Sequence, residues 1–159
     1  MKLKFSLIVI GLFIIASCKK DDTNTTSNPC PTIKTLEELL CAHTWRIDEF
    51  RQRYNSGSSN GVDIYYKLGG TGNTANYDSD SIKFYTNNTG VYYYLGSQYT
   101  TTWNFIDPLK SKITLTINYP TPLVDNLETI SLSESSFRYS HYYSFNGISY
   151  LGAGTRTQN

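Results

Sequence analysis

The sequence predicts an all-β protein: an antiparallel meander whose simplest closure is a barrel. Three observations carry this. Tyr numbers 14 and Phe 7 while charged residues are only 17%, and aromatic and β-branched side chains suit a pleated, half-buried surface. From Thr44 onward the apolar residues alternate with period two, the spacing of strands with one buried face. Between the alternating runs stand explicit turn residues such as Asn88-Thr89-Gly90, Gly96-Ser97 and Asn146-Gly147.

The first element is an address. Lys2 and Lys4 give a positive start, residues 5–15 form a nearly unbroken apolar run, and Ala16 and Ser17 are small. That is the build of a secretory signal, and the run is short for a bilayer span. Followed by Cys18, the segment resembles the bacterial lipobox. The resemblance implies a lipid bilayer partner: diacylation of Cys18, cleavage before it and acylation of the new amine. Each buried CH₂ contributes roughly 0.8 kcal/mol, so two or three chains anchor firmly. An ordinary cleaved signal with an incidental cysteine is the plainer alternative; the polar linker directly after Cys18 favours the lipobox. Next, Lys19-Lys20-Asp21-Asp22 resembles the lipoprotein export signal of Bacteroidota, matching at Lys20, Asp21 and Asp22. It implies an outer-membrane protein whose domain faces outward. A solvated charge cluster on a periplasm-facing lipoprotein is the alternative.

This divides the 159 residues into a signal (1–17), a lipidated cysteine with a flexible tether (18–34), and a domain (35–159) long enough for a real core. The formal charge of +1 falls when Lys2 and Lys4 leave with the signal, and a near-neutral chain has no electrostatic reason to seek nucleic acid. With Cys18 acylated, Cys30 and Cys41 remain as an even pair in an oxidising compartment, and a disulfide is expected. Its short loop would contribute roughly 2–3 kcal/mol. Neither cysteine belongs to a CxxC pair and His43 is the sole nearby histidine, which speaks against a metal. Two reduced, buried thiols are the alternative.

The domain opens with a helix over 35–42. Thr35 and Glu38 have capping-box spacing, and Leu36, Leu39 and Leu40 share one face. Strands succeed it at 44–54, 62–68, 81–86, 90–95, 98–106, 112–119, 126–132 and 136–145, and 148–151 offers a ninth. Asp107-Pro108 opens a type I turn, while Pro120 and Pro122 separate two strands. Alternation turns Ile82 and Phe84 inward, likewise Val91, Tyr93 and Leu95, Trp103 and Phe105, Ile113, Leu115 and Ile117, and Phe137, Tyr139, His141, Tyr143 and Phe145. Closing such a meander removes exposed edges.

The helix before Thr44-Trp45-Arg46-Ile47, the Phe84 strand, the Asn88-Thr89-Gly90 turn, the Trp103 strand and Leu132-Ser133 before the last long strand together resemble the lipocalin-like domain of secreted Bacteroidota lipoproteins. The resemblance spans about residues 35–150. It implies an eight-stranded antiparallel up-and-down barrel with one short N-terminal helix. It also implies a cavity for a small apolar or amphipathic ligand, lined by residues such as Phe84, Tyr93, Trp103, His141 and Tyr143. Lipocalins usually carry Gly where His43 stands, and a late Arg that packs on the first-strand Trp, a role open to Arg138 or Arg156.

Catalytic patterns do not emerge: His43 and His141 stand alone, and GxSxG, HExxH and CxxC are missing. Neither enzymatic activity nor a cofactor is expected. Asp78 and Asp80 read as a solvated turn, and Gly69-Gly70-Thr71-Gly72 as a flexible loop. Asp80-Ser81-Ile82 resembles the O-glycosylation motif of Bacteroidota. The runs Tyr65-Tyr66, Tyr92-Tyr93-Tyr94 and Tyr142-Tyr143 put rings on both strand faces. Outward rings that merely cover the sheet are one reading; the other is a docking surface for an outer-membrane protein or a glycan.

Overall fold

The structure, a computed structural model, describes residues 34–55 and 62–159. Cys18, Lys20, Asp21, Asp22 and Cys30 lie outside the described residues. Helix α1 (Leu36–Ala42) starts at the expected capping box. Thr35 Oγ1 accepts from the Glu38 amide at 3.2 Å, and the Thr35 amide donates to Glu38 Oε2 at 2.7 Å. These bonds satisfy two donors that a helix start leaves free. Leu40 is fully buried, and its carbonyl accepts from Trp45 Nε1 at 2.8 Å. The helix therefore stoppers one end of the strand assembly.

Nine strands come next: β1 (Thr44–Asn55), β2 (Val62–Lys67), β3 (Ser81–Phe84), β4 (Thr89–Tyr94), β5 (Ser97–Phe105), β6 (Ile113–Ile117), β7 (Leu123–Leu132), β8 (Ser136–Phe145) and β9 (Ile148–Gln158). From β3 to β9 each pairs antiparallel with its successor, and β9 pairs back along β1. Eight strands thus close an antiparallel barrel, and β2 is one extra strand on β1. Turn chemistry sets the hairpins. Asn146 and Gly147 have φ of 50° and 76°, the left-handed pair of a tight two-residue turn. Lys110 N donates to Asp107 O at 3.0 Å, closing the turn that Asp107-Pro108 opens.

One side of the barrel is irregular. Thr44–Arg46 of β1 pair with β3, but from Glu49 onward the same edge pairs with β2. Tyr77, in the loop from β2 to β3, fills the resulting gap. Its ring lies 5.3 Å from Phe50 on β1, 5.6 Å from Tyr66 on β2 and 6.3 Å from Tyr94 on β4.

Three expectations are corrected. In β4 the inward residues are Gly90, Tyr92 and Tyr94, and Tyr93 is 40% exposed. A Cβ at Gly90 would sit 2.5 Å from the Lys83 carbonyl oxygen and 2.6 Å from Thr101 Oγ1. Only glycine fits that inward position, and it sets the face of the whole strand. The last strand does not stop at residue 151: β9 runs to Gln158. Its Gly152 and Gly154 lie opposite His141 and Tyr139. A Cβ at Gly154 would come within 2.7 Å of the Tyr139 ring, and one at Gly152 within 2.3 Å of His141 Nε2. The glycines look like strand breakers in sequence, yet here they make room for the rings of β8. Finally, the expected Cys30–Cys41 disulfide is not formed: Cys41 is a free thiol. Its half-buried side chain packs against the core beneath α1, where burial raises the thiol's pKa.

Candidate functional site

Inside the barrel is a cavity of about 290 Å³, near the lower end of the roughly 300–1,000 Å³ usual for ligand pockets. Helix α1, Trp45 and Phe137 close the end below it. Tyr119, Leu123, Phe145 and Tyr150 line it from the strand ends beside the opposite turns. Its apolar surface comes from Ile82, Phe84, Leu115, Ile117, Leu127 and Phe137, the inward positions of β3, β6, β7 and β8. Three of the expected site residues meet here: Phe84, His141 and Tyr143. Tyr93 faces outward. Trp103 is inward and buried but not at the cavity; it packs edge-on against Phe84 and Phe105, at 5.6 Å from each. Its Nε1 donates to the carbonyls of Thr89 and Tyr85 at 2.9 and 3.2 Å, so it braces the β3–β4 turn.

Two polar groups lie inside the barrel. The first is built on Arg156. Its Nη1 donates to Asp80 Oδ1 at 2.9 Å and to the Trp45 carbonyl at 3.2 Å, and its Nε donates to the Tyr139 hydroxyl at 3.2 Å. The Tyr92 hydroxyl donates to the other oxygen of Asp80. Asp80 is therefore no solvated turn residue; it is 1% exposed. Burial pushes its carboxyl above the usual range, against the pull of Arg156 and Tyr92. Burial also works against the Arg156 charge, but Tyr139, Asp80 and Tyr92 outweigh it and hold the guanidinium's pKa above its ordinary value. Of the two late arginines, Arg156 is the one that reaches the first-strand tryptophan, through its backbone carbonyl.

The second group lies farther toward the open turns. His141, 3% exposed, places Nδ1 at 3.3 Å from Asp125 Oδ2. Gln52 Nε2 donates to the Tyr143 hydroxyl at 3.2 Å. All four residues line the cavity. Tyr143 also stacks on Tyr150, with ring centroids 4.5 Å apart and planes 8° apart, and burial raises its phenol to a pKa of about 12. The arrangement can shelter a small molecule with an apolar body and a polar end, because an apolar wall and a few convergent polar groups share one cavity.

Nothing in the pattern of Gln52 or Asp125 marks them as interior, since each stands beside other polar residues: Arg51 and Arg53 flank Gln52, and Asn126 follows Asp125. The one available signal was parity: Asp125 shares a face with Leu127 next to it on β7. Compared with known proteins, the chain matches no family model, no curated protein and no solved structure.

Proposed function

We propose that the chain is a membrane-anchored, surface-exposed lipoprotein whose barrel binds a small apolar or amphipathic ligand. One observation carries the binding reading. The interior is not filled by its own side chains, as small eight-stranded barrels often are, but keeps about 290 Å³ lined by aromatic, aliphatic and a few polar groups. Titration of the purified chain with an apolar fluorescent probe such as N-phenylnaphthylamine tests it. Saturable one-to-one binding that weakens when Leu115→Trp fills the cavity supports the reading; absence of saturable binding contradicts it.

The anchor and the outward orientation rest on the sequence of residues 14–22, with Cys18 as the acylated residue and Lys20, Asp21 and Asp22 as the export signal. A Cys18→Ala chain that stays in the membrane fraction would refute the anchor. Protease added to intact cells should cleave the wild-type domain, and a chain with Asp21→Ala and Asp22→Ala should be spared.

A second reading, docking on an outer-membrane protein or glycan, has one observation behind it. Tyr142 and Leu151 are directly paired on β8 and β9, and they are 48% and 63% exposed. Envelope partners captured by the wild type but lost with Tyr142→Ser and Leu151→Ser would favour it. Cavity binding unaffected by those changes keeps the first reading.

A further inference from the structure

We infer that the cavity takes a small organic amine, its ammonium group held at Asp125 among the surrounding rings. This rests on the ligand-binding reading above and names the chemistry of the ligand. The starting point is an imbalance. Among the described residues Asp125 Oδ1 is buried without a hydrogen-bond partner, and the residue lines the cavity. Buried polar atoms are rarely left so, because each costs about 1–3 kcal/mol, and more when charged.

A carboxylate oxygen only accepts, so a ligand that satisfies Asp125 Oδ1 must donate. His141 orients that carboxylate, with Nδ1 3.3 Å from Oδ2, while its Nε2 lies against β9, 2.3 Å from where a Gly152 Cβ would stand. The charges agree. The cavity's arginine is already committed, since Arg156 is bound to Asp80 at 2.9 Å, to Tyr139 and to the Trp45 carbonyl. Among the described residues Asp125 pairs with His141 and with no arginine or lysine.

The walls agree too. The Phe50 and Tyr143 rings lie 5.1 and 5.8 Å from His141, and aromatic faces attract a desolvated cation. Beyond them Ile82, Leu115 and Leu127 offer an apolar floor for the amine's hydrocarbon part. At about 290 Å³ the space suits a single ring or short chain bearing one ammonium.

The test is calorimetry on the purified full-length chain with three probes of one shape: phenethylamine, phenethyl alcohol and hydrocinnamate. The amine should bind at least about tenfold tighter than the alcohol, as a charge-assisted bond to a mostly buried carboxylate requires, and hydrocinnamate should bind weakest. Asp125→Asn, which keeps the shape, should remove the preference for the amine over the alcohol. The inference is overturned if the alcohol or the acid binds as well as the amine, or if Asp125→Asn leaves amine binding intact. It is overturned alone if N-phenylnaphthylamine binds in the cavity but phenethylamine does not displace it. If neither that probe nor any of the three binds, the small-ligand reading falls with it.

Discussion

Arg156 Nη1 donates to Asp80 Oδ1 at 2.9 Å across 76 residues of sequence, with both side chains buried inside the barrel. The pair ties the last strand to the start of β3, and through the Trp45 carbonyl to β1. It therefore holds the closure of the barrel from within.

Breaking that pair should be costly and replacing it should not. Removing one partner leaves a buried charge uncompensated, so Asp80→Ala should destabilise the chain by roughly 3–5 kcal/mol. The double change Asp80→Leu with Arg156→Met should cost much less than the sum of the two singles, because no charge is left stranded. Denaturant unfolding of the four proteins measures the coupling; additive losses would mean that the pair contributes little.

The tyrosines predict a steep alkaline limit. Burial raises the phenols of Tyr66 and Tyr143 to about 12 and pushes Tyr77, Tyr92 and Tyr119 up as well. The folded state thus favours the neutral phenol. That contribution is fully present below the unfolded value of about 10 and is lost as pH rises from there through about 12. Tyrosinate absorbance should show a delayed class that ionises together with loss of near-ultraviolet circular dichroism. One smooth titration with the fold intact would contradict this.

Space for the inward rings of β8 depends on missing side chains in β9. Gly154→Ala puts a methyl group within 2.7 Å of the Tyr139 ring, which Arg156 already fixes. Overpacking of this kind should cost roughly 1–3 kcal/mol, read as a lower unfolding midpoint. Among the described residues beyond its chain neighbours, Gly147→Ala meets no atom within 4 Å, so its cost should come from the positive φ.

Tyr77 fills the gap between β1 and β4, so it governs sideways access to the cavity. Tyr77→Ala should raise the release rate of a bound apolar probe several-fold in stopped-flow measurements. A rate equal to wild type would direct exchange to the open turns instead.

Trp103 separates inward from cavity-lining. Trp103→Phe removes the bonds of Nε1 to the Thr89 and Tyr85 carbonyls and should cost about 1–3 kcal/mol of stability, with probe affinity unchanged. A loss of affinity with stability intact would put it back at the site.

Much of this fold was legible in the chain because local chemistry and period agree: the capping box of Thr35 and Glu38, the Asn146-Gly147 turn, and ten alternating residues in β8. That long alternation is why His141 and Tyr143 could be placed at the site. Tyr93 could not, since three consecutive tyrosines carry no contrast between faces, and the neighbour that decides is Gly90. Trp103 shows a different limit: parity gives the face of a residue, not its height in the barrel. Asp80 and Asp125 were hidden because a buried polar residue is explained only by its partner, and Asp80 meets Arg156, one of two candidate arginines, only through closure of the whole sheet. The Gly152-Ala153-Gly154 stretch lowers strand propensity, and only the rings of β8 account for it.

Whether the barrel carries a ligand is decided by native mass spectrometry of the full-length chain purified from its native cells. A ligand-binding barrel yields a population heavier than the covalently complete chain by one small organic molecule, released when the barrel unfolds and missing in Leu115→Trp. A spectrum of the covalently complete chain alone, identical in wild type and Leu115→Trp, would contradict it.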